Sequence, residues 1–291
     1  MQEDRKWASY ALGVLVGALS PYTAHAYCRS TTEPTGGTCP APCVSTGIPL
    51  AWGTPEIEYA LHRDAFTGPD GAAFQAAIAR SFSHWAEVSC SGHAVGFTFS
   101  VLPQRTELTV GPVASEPNLN VISELDAAQW DALGFDSHAF AKTQLWFETK
   151  TGEIVGADIA FNRTIGNFAV CPDAGCAPDT IDLENVATHE IGHFLGLAHS
   201  DDRASTMWCD AVKGDLQKRS LADDDVAGLC AMYGSQSGFI DPGPKTNGDA
   251  PGKSDPGGCA LASAEPPHAS SAFGTLSLLA LLLRRRKARL G

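Results

Sequence analysis

The sequence predicts an α+β fold, and three observations predict it. Apolar residues alternate with polar or small ones at Ile57, Tyr59 and Leu61, and again at Phe97, Phe99 and Val101, as in strands with one buried face. Phe74, Ile78, Phe82, Trp85 and Val88 instead recur as a 3.6-residue stripe, the apolar face of a helix. A third stretch, HEIGHFLGLAH from His189 to His199, puts two histidines four residues apart on one helical face. It carries Gly196, which adopts left-handed backbone angles without steric penalty and so ends the helix.

Taken in order, Arg5 and Lys6 precede an apolar run over 8–19, and Ala24-His25-Ala26 is a small-x-small cleavage site. Residues 1–26 therefore read as a signal peptide, with an apolar run too short for a stable membrane span. Residues 27–47 are rich in Pro, Gly, Thr and Cys and read as an irregular N-terminal segment. A first strand is expected over 48–62, and the first helix begins at Asp70. On that helix His84 reads as a surface or half-buried side chain rather than a ligand. A second strand follows at 97–101, a third element at 120–122, and an inserted loop with a short helix at 127–140. Residues 145–149 and 154–161 read as two strands about a Thr151-Gly152 turn. Asp158 reads as a solvated strand residue, with a structural or calcium-linked carboxylate as the alternative. A loop over 162–181 leads to the histidine helix, expected from 181 or 182 to 197, with Asp179, Thr180 and Asp182 as candidate caps. Val186, Ile191, Phe194 and Leu195 supply its buried side. A last helix spans about 222–233, with aspartates in its first turn where the helix dipole favours them. Residues 235–258 form a linker without a core-forming pattern, and 259–291 hold Cys259, an apolar run over 272–283 and the cluster Arg284-Arg285-Arg286-Lys287.

The chain has 291 residues and a net charge of −13. Residues 27–258 hold 30 acidic and 13 basic side chains, a net of −17, which argues against nucleic acid or an anionic membrane as the main partner. Of nine cysteines, eight remain when Cys259 is set aside: 28, 39, 43, 90, 171, 176, 209 and 230. An even number in a chain that looks exported reads as up to four disulfides. Cys171 with Cys176 would close the small loop CPDAGC, and Cys209 with Cys230 would tie the Met207 region to the last helix. The remaining connectivity is open.

The histidine stretch carries the chemistry. His189 and His193 reach one ion from one face, and the turn at Gly196 brings His199 back as a third ligand. Three neutral imidazoles with one open position make a catalytic zinc site rather than a closed structural one. Glu190, rotated about 100° from His189, is placed to hold a water rather than to bind the metal. The bland reading, two exposed histidines and a solvated glutamate, suits HExxH alone and loses ground to a glycine and third histidine at fixed spacing. Met207 follows in Ser205-Thr206-Met207-Trp208, where a tight turn would lay its side chain under the ligands.

HExxHxxGxxH with Met207 resembles the metzincin metallopeptidases, and Ser200 after the third histidine is similar to the matrixin branch. Asp182 to Thr188 resembles the matrixin lead-in to that helix, and Leu221 to Leu229 with Tyr233-Gly234 resembles the C-terminal matrixin pattern LSxDDxxGIxxLYG. The resemblance implies a twisted mixed sheet of five strands with three main helices, and a catalytic domain over 48–234. It also implies a zinc endopeptidase acting on proteins or peptides, exported to the extracellular space or outer cell surface, and monomeric. His189, His193 and His199 would hold the zinc, Glu190 would act as general base, and Met207 would form the turn. The rivals are a non-catalytic zinc-containing surface binding protein and a zinc hydrolase acting on a non-peptide bond. The propeptide motif PRCGxPD is absent, and Cys39-Pro40-Ala41-Pro42-Cys43 reads as a disulfide staple. In some matrixins an aspartate equivalent to one of Asp224-Asp225 receives a new N-terminal ammonium. Here capping and dipole complement are the favoured roles. The Gly-Gly-Cys, apolar and arginine tail resembles the C-terminal sorting tags of myxobacterial surface proteins, so the membrane would be met only through that tail.

Overall fold

The computed structural model describes residues 26–33, 39, 43, 46–106, 119–234, 239, 252–254 and 260–261. Five long strands make the sheet: β1 Glu56–His62, β2 Thr98–Arg105, β3 Asn120–Leu125, β4 Ala141–Phe147 and β5 Glu153–Asn162. Their spatial order is β2-β1-β3-β5-β4. All neighbours are parallel except β5 and β4, which form the antiparallel hairpin expected around Gly152. Parallel neighbours need a long crossover, and between β1 and β2 it is the helix α1, Gly71–Ala86. Ala51–Trp52 adds a short parallel piece beside β5. The short helix α2, Ala127–Ala132, starts with a capping box from Asp126 and Gln129. Its Trp130 packs with Leu125, Phe135, Ala139 and Ala160 in a small second core.

The sheet's other partners are α1 and α3, Leu183–Phe194. Phe82 of α1 stacks on Tyr59 of β1 at 4.3 Å and meets Phe194 of α3 edge-on at 5.5 Å, so one ring joins all three elements. Where the two helices touch, Trp85 Nε1 donates to Thr188 O at 2.9 Å, and Thr188 Oγ1 donates to Ser81 Oγ at 3.0 Å. Arg80 Nη2 donates to Glu184 Oε2 at 2.6 Å, and His84 lies 3.2 Å from Oε1 of the same carboxylate. Gly192 is required by packing: a Cβ there would overlap the Met207 sulfur and reach Trp85 at 2.9 Å.

Helix α3 is shorter than expected, for a local reason at each end. Thr180–Asp182 pairs as a strand with Asn167–Ala169, and the Asp182 carboxylate accepts from Asn185 N at 2.8 Å, so the helix starts after it. At the other end Gly196 turns at φ +96°, and Leu197–Ala198 pairs with Cys28–Arg29. The terminal carbonyls are not left bare: Trp52 Nε1 donates to Phe194 O at 2.9 Å and Tyr233 Oη to Leu195 O at 2.7 Å. Tyr233 closes the last helix, α4, Asp223–Tyr233.

Two expectations are corrected. Cys209 does not pair with Cys230. The disulfides are Cys28–Cys43, Cys39–Cys209, Cys90–Cys230 and the expected Cys171–Cys176. Folding brings the N-terminal segment to Cys209 and the short strand Ser89–Cys90 after α1 to the last helix, pairings that sequence separations of 170 and 140 conceal. Asp158 is buried rather than solvated, and its Oδ1 accepts from Val121 N at 2.9 Å, joining β5 to β3. Within 235–258, Gly252–Ser254 pairs antiparallel with β4, and further on Ala260–Leu261 pairs with Asp210–Ala211. Residues 1–25 of the expected signal peptide, Cys259 and the apolar and basic tail lie outside the described residues. Among the described residues no helix is long and apolar enough to cross a membrane.

Gly192→Ala is expected to lower the unfolding free energy by about 1–3 kcal/mol, the usual cost of overpacking, read as a shift in a urea midpoint without a change in slope. Glu184→Gln gives a pH signature. Burial pushes the Glu184 carboxyl up, but the bonds from Arg80 and His84 outweigh it and hold it below the usual glutamate value of 4.5. Its stabilisation is therefore full above pH 4.5 and lost as the pH falls further. Parent and variant are expected to differ by about 1 kcal/mol at pH 7, since Arg80 is half in water, and to converge as the pH falls through the lowered folded-state value in urea titrations.

Candidate metal centre

Helix α3 delivers His189 and His193 one turn apart, and the turn at Gly196 returns His199 to them. The three rings bring one ligand atom each within 4.8 Å of one another. His193 Nε2 and His199 Nε2 are 3.2 Å apart. The other nitrogens of the first two rings are engaged: His189 Nδ1 donates to Thr206 O at 2.7 Å and His193 Nδ1 to Leu197 O at 2.9 Å. These bonds fix both tautomers, so each Nε2 presents a bare lone pair. His189 Nε2 is buried with no hydrogen-bond partner.

Charge supports the same state. Burial pushes His193 down to about 3, and pushes His189 and His199 well below the ordinary histidine value. Lys218 lowers all three further. Lys218 was not evident in the sequence. It is 2 % exposed, its Nζ donates to Trp208 O, and that ammonium lies 3.3 Å from His189 Nδ1. Its backbone N–H donates to Asn185 Oδ1 at 2.6 Å, so α3 holds the loop that carries it. An imidazole beside a buried ammonium stays neutral, as a metal ligand must.

The backbone acceptors are themselves anchored, by Asp225 of α4. Its carboxylate accepts from Ser205 Oγ, from Thr206 N at 2.7 Å, from Met207 N at 3.0 Å and from Ala222 N at 2.8 Å. One buried side chain thus shapes the turn that offers Thr206 O to His189 and lays Met207 beneath Gly192. Asp224 faces the other way. Its Oδ2 accepts from Ser200 Oγ at 2.6 Å, and its Oδ1 accepts from the amides of Ala26 and Tyr27 at 2.6 and 3.0 Å. Capping therefore describes Asp225, while Asp224 ties the N-terminal segment to the residue after His199.

This site, on a mixed sheet with five long strands, agrees with what is known of similar chains. A family model described as Matrixin matches residues 51–234. The chain belongs to the matrixin family. Among relatives, Metalloendoproteinase 2-MMP of Arabidopsis thaliana is 30% identical over 165 residues, 56% of this chain and 37% of that protein. Metalloendoproteinase 1 of Glycine max is 29% identical over 163 residues, 55% of this chain and 46% of that protein. Neutrophil collagenase of Homo sapiens is 45% identical over 62 residues, 21% of this chain and 13% of that protein. The chain thus spans less than half the length of these relatives.

Within this matrixin domain the sequence-predicted set, His189, Glu190, His193, His199 and Met207, is assembled in one place. A further member is Thr143 of β4, which no motif marks. Its hydroxyl lies 2.7 Å from Glu190 Oε2 and 3.0 Å from Glu190 O, and the residue is fully buried. It fixes the rotamer of the carboxylate that the sequence assigns as base. Thr143→Val is expected to lower kcat about tenfold with KM nearly unchanged, and Thr143→Ser to restore most of it, in steady-state peptide hydrolysis.

Proposed function

We propose that the chain is a zinc-dependent endopeptidase that cleaves peptide bonds in extracellular or cell-surface proteins. The observation that carries this reading is a trio of neutral imidazoles, two buried and His199 half-buried, whose candidate ligand atoms converge within 4.8 Å beside a glutamate held by Thr143. The orphaned His189 Nε2 fits a metal, because a buried nitrogen without a partner otherwise costs about 1–3 kcal/mol. A ring set of three imidazoles suits zinc among the first-row ions. His189, His193 and His199 would hold it, and when bound it would supply Lewis acidity and a water acidic near pH 7.

The other steps fall to this chain's own groups. Glu190 takes a proton from the attacking water as the water adds to the scissile carbonyl, and passes it to the leaving amine. Thr143 keeps the accepting oxygen in place. Met207 packs against Gly192 of the histidine helix, an apolar contact that competes for no proton. Calcium is not assigned: among the described residues the only other groups of three candidate ligands are two disulfide pairs, each beside one aspartate. The four disulfides favour an oxidising compartment, consistent with export by the signal peptide. Removal of residues 1–26 would place the new Tyr27 ammonium beside Asp224, whose carboxylate lies 3.0 Å from that nitrogen. The domain division proposed is 48–234 for catalysis, flanked by 27–47, the linker 235–258 and the sorting segment 259–291. The rival of a non-catalytic zinc protein is disfavoured by the oriented Glu190, which a purely structural site does not need.

Hydrolysis of a general protein substrate by the chain beginning at Tyr27, beside Glu190→Ala, tests this. Activity is expected to fall by at least about a thousandfold in the variant while one zinc per chain is retained. Chelation is expected to silence the parent, with zinc restoring it. Zinc bound in both with no hydrolysis in either would support the binding-protein reading instead.

A further inference from the structure

The edge of β4 is where the active site meets an unexpected strand. Thr143 of β4 touches Glu190, and the same strand continues through Leu145, Trp146 and Phe147. Against these three, Gly252–Ser254 from the C-terminal linker pairs antiparallel, matching Ser254 to Leu145, Lys253 to Trp146 and Gly252 to Phe147. Six residues after Ser254, Ala260–Leu261 pairs parallel with Asp210–Ala211. That second edge belongs to the loop just past Met207, whose Thr206 carbonyl holds His189. Two short pieces from the same end of the chain therefore pair with two backbone edges, one on the Glu190 side and one on the Met207 side.

An extended chain has two hydrogen-bonding edges, and adding it to a free sheet edge is a common way of recognising peptides. The tail uses this mode on both sides. Its sequence, Pro251-Gly252-Lys253-Ser254, has low strand propensity, so the pairing is templated by β4 rather than by the tail. Two side-chain features fit this seat. A Cβ at Gly252 would reach the Phe147 ring at 2.6 and 2.8 Å and Thr149 at 2.9 Å, so glycine is needed for the approach. Lys253 Nζ lies 5.3 Å from the Trp146 ring centre, a cation–π contact. Meanwhile Glu190 has no surface open to solvent, although a general base must meet a water and a substrate.

We propose that the chain's own tail, through Gly252–Ser254 and Ala260–Leu261, is the resident occupant of the backbone edges of β4 and Asp210–Ala211, where it lies in place of an extended peptide. The tail competes with other substrates and holds their binding down. This rests on the endopeptidase reading for its kinetic consequence, but the docking itself does not require catalysis.

Two measurements on the full chain separate those claims. Hydrogen exchange of metal-free protein reads the β4 edge directly: Gly252→Val is expected to raise exchange at 145–147 at least about tenfold, with the rest of the sheet unchanged. In peptide hydrolysis the same variant is expected to lower KM about tenfold at unchanged kcat, and a synthetic peptide spanning 250–263 to inhibit it competitively. Lys253→Glu, which keeps the backbone strand but loses the cation–π contact, is expected to fall between parent and Gly252→Val. Faster exchange without hydrolysis in any variant would keep the docking and sink the peptidase reading. Unchanged exchange at 145–147 together with equal KM values, or a peptide that fails to inhibit at millimolar concentration, would overturn the proposal.

Discussion

Burying three imidazoles side by side is unfavourable for every protonated state, and most of the structure follows from how that constraint is met. Two of the rings spend their only N–H on a backbone carbonyl, Thr206 O and Leu197 O, so each carbonyl must be presented at one point. Neither lies in a regular helix. Each is therefore held by something distant in sequence: Thr206 by Asp225 of α4, and Leu197 by its strand pairing with the N-terminal segment. Lys218 adds a buried positive charge that makes a proton on any of the three rings costlier.

Helix α3 links this site to the core because it has no solvent face. All twelve of its residues are buried, so every turn must be satisfied by a neighbour. The first turn meets Arg80, His84 and the Asp182 cap, the middle meets Trp85 and Met207, and the last carbonyls meet Trp52 and Tyr233. The two glycines of the motif serve separate needs. Gly192 lets Met207 and Trp85 approach the helix, while Gly196 reverses the chain close to Leu50 O.

The tail meets the fold at the edge proposed to take a peptide. β4 lies beside Glu190, the proposed base, and its outer row of backbone groups pairs with Gly252–Ser254. Glycine at 252 permits the closest part of that approach.

Much of this was legible in the sequence because it depends on local periodicity. Phe74, Ile78, Phe82 and Trp85 mark α1, Ile57, Tyr59 and Leu61 mark β1, and the spacing of His189, Glu190, His193, Gly196 and His199 marks the site, since neighbours on a helix or strand are fixed by backbone geometry. What the sequence could not supply were pairings between residues far apart. Thr143 against Glu190, Lys218 beside His189, Asp224 against Tyr27, Cys39 with Cys209 and Lys253 over Trp146 carry no sequence signature. The sequence alone determined the α+β class, and it marked the candidate histidine set and the proposed base, through short-range spacing. Only the tertiary structure decided which carbonyl orients each ring, which hydroxyl aims the base and which strand fills the edge, because those partners meet only once the sheet has closed against α3.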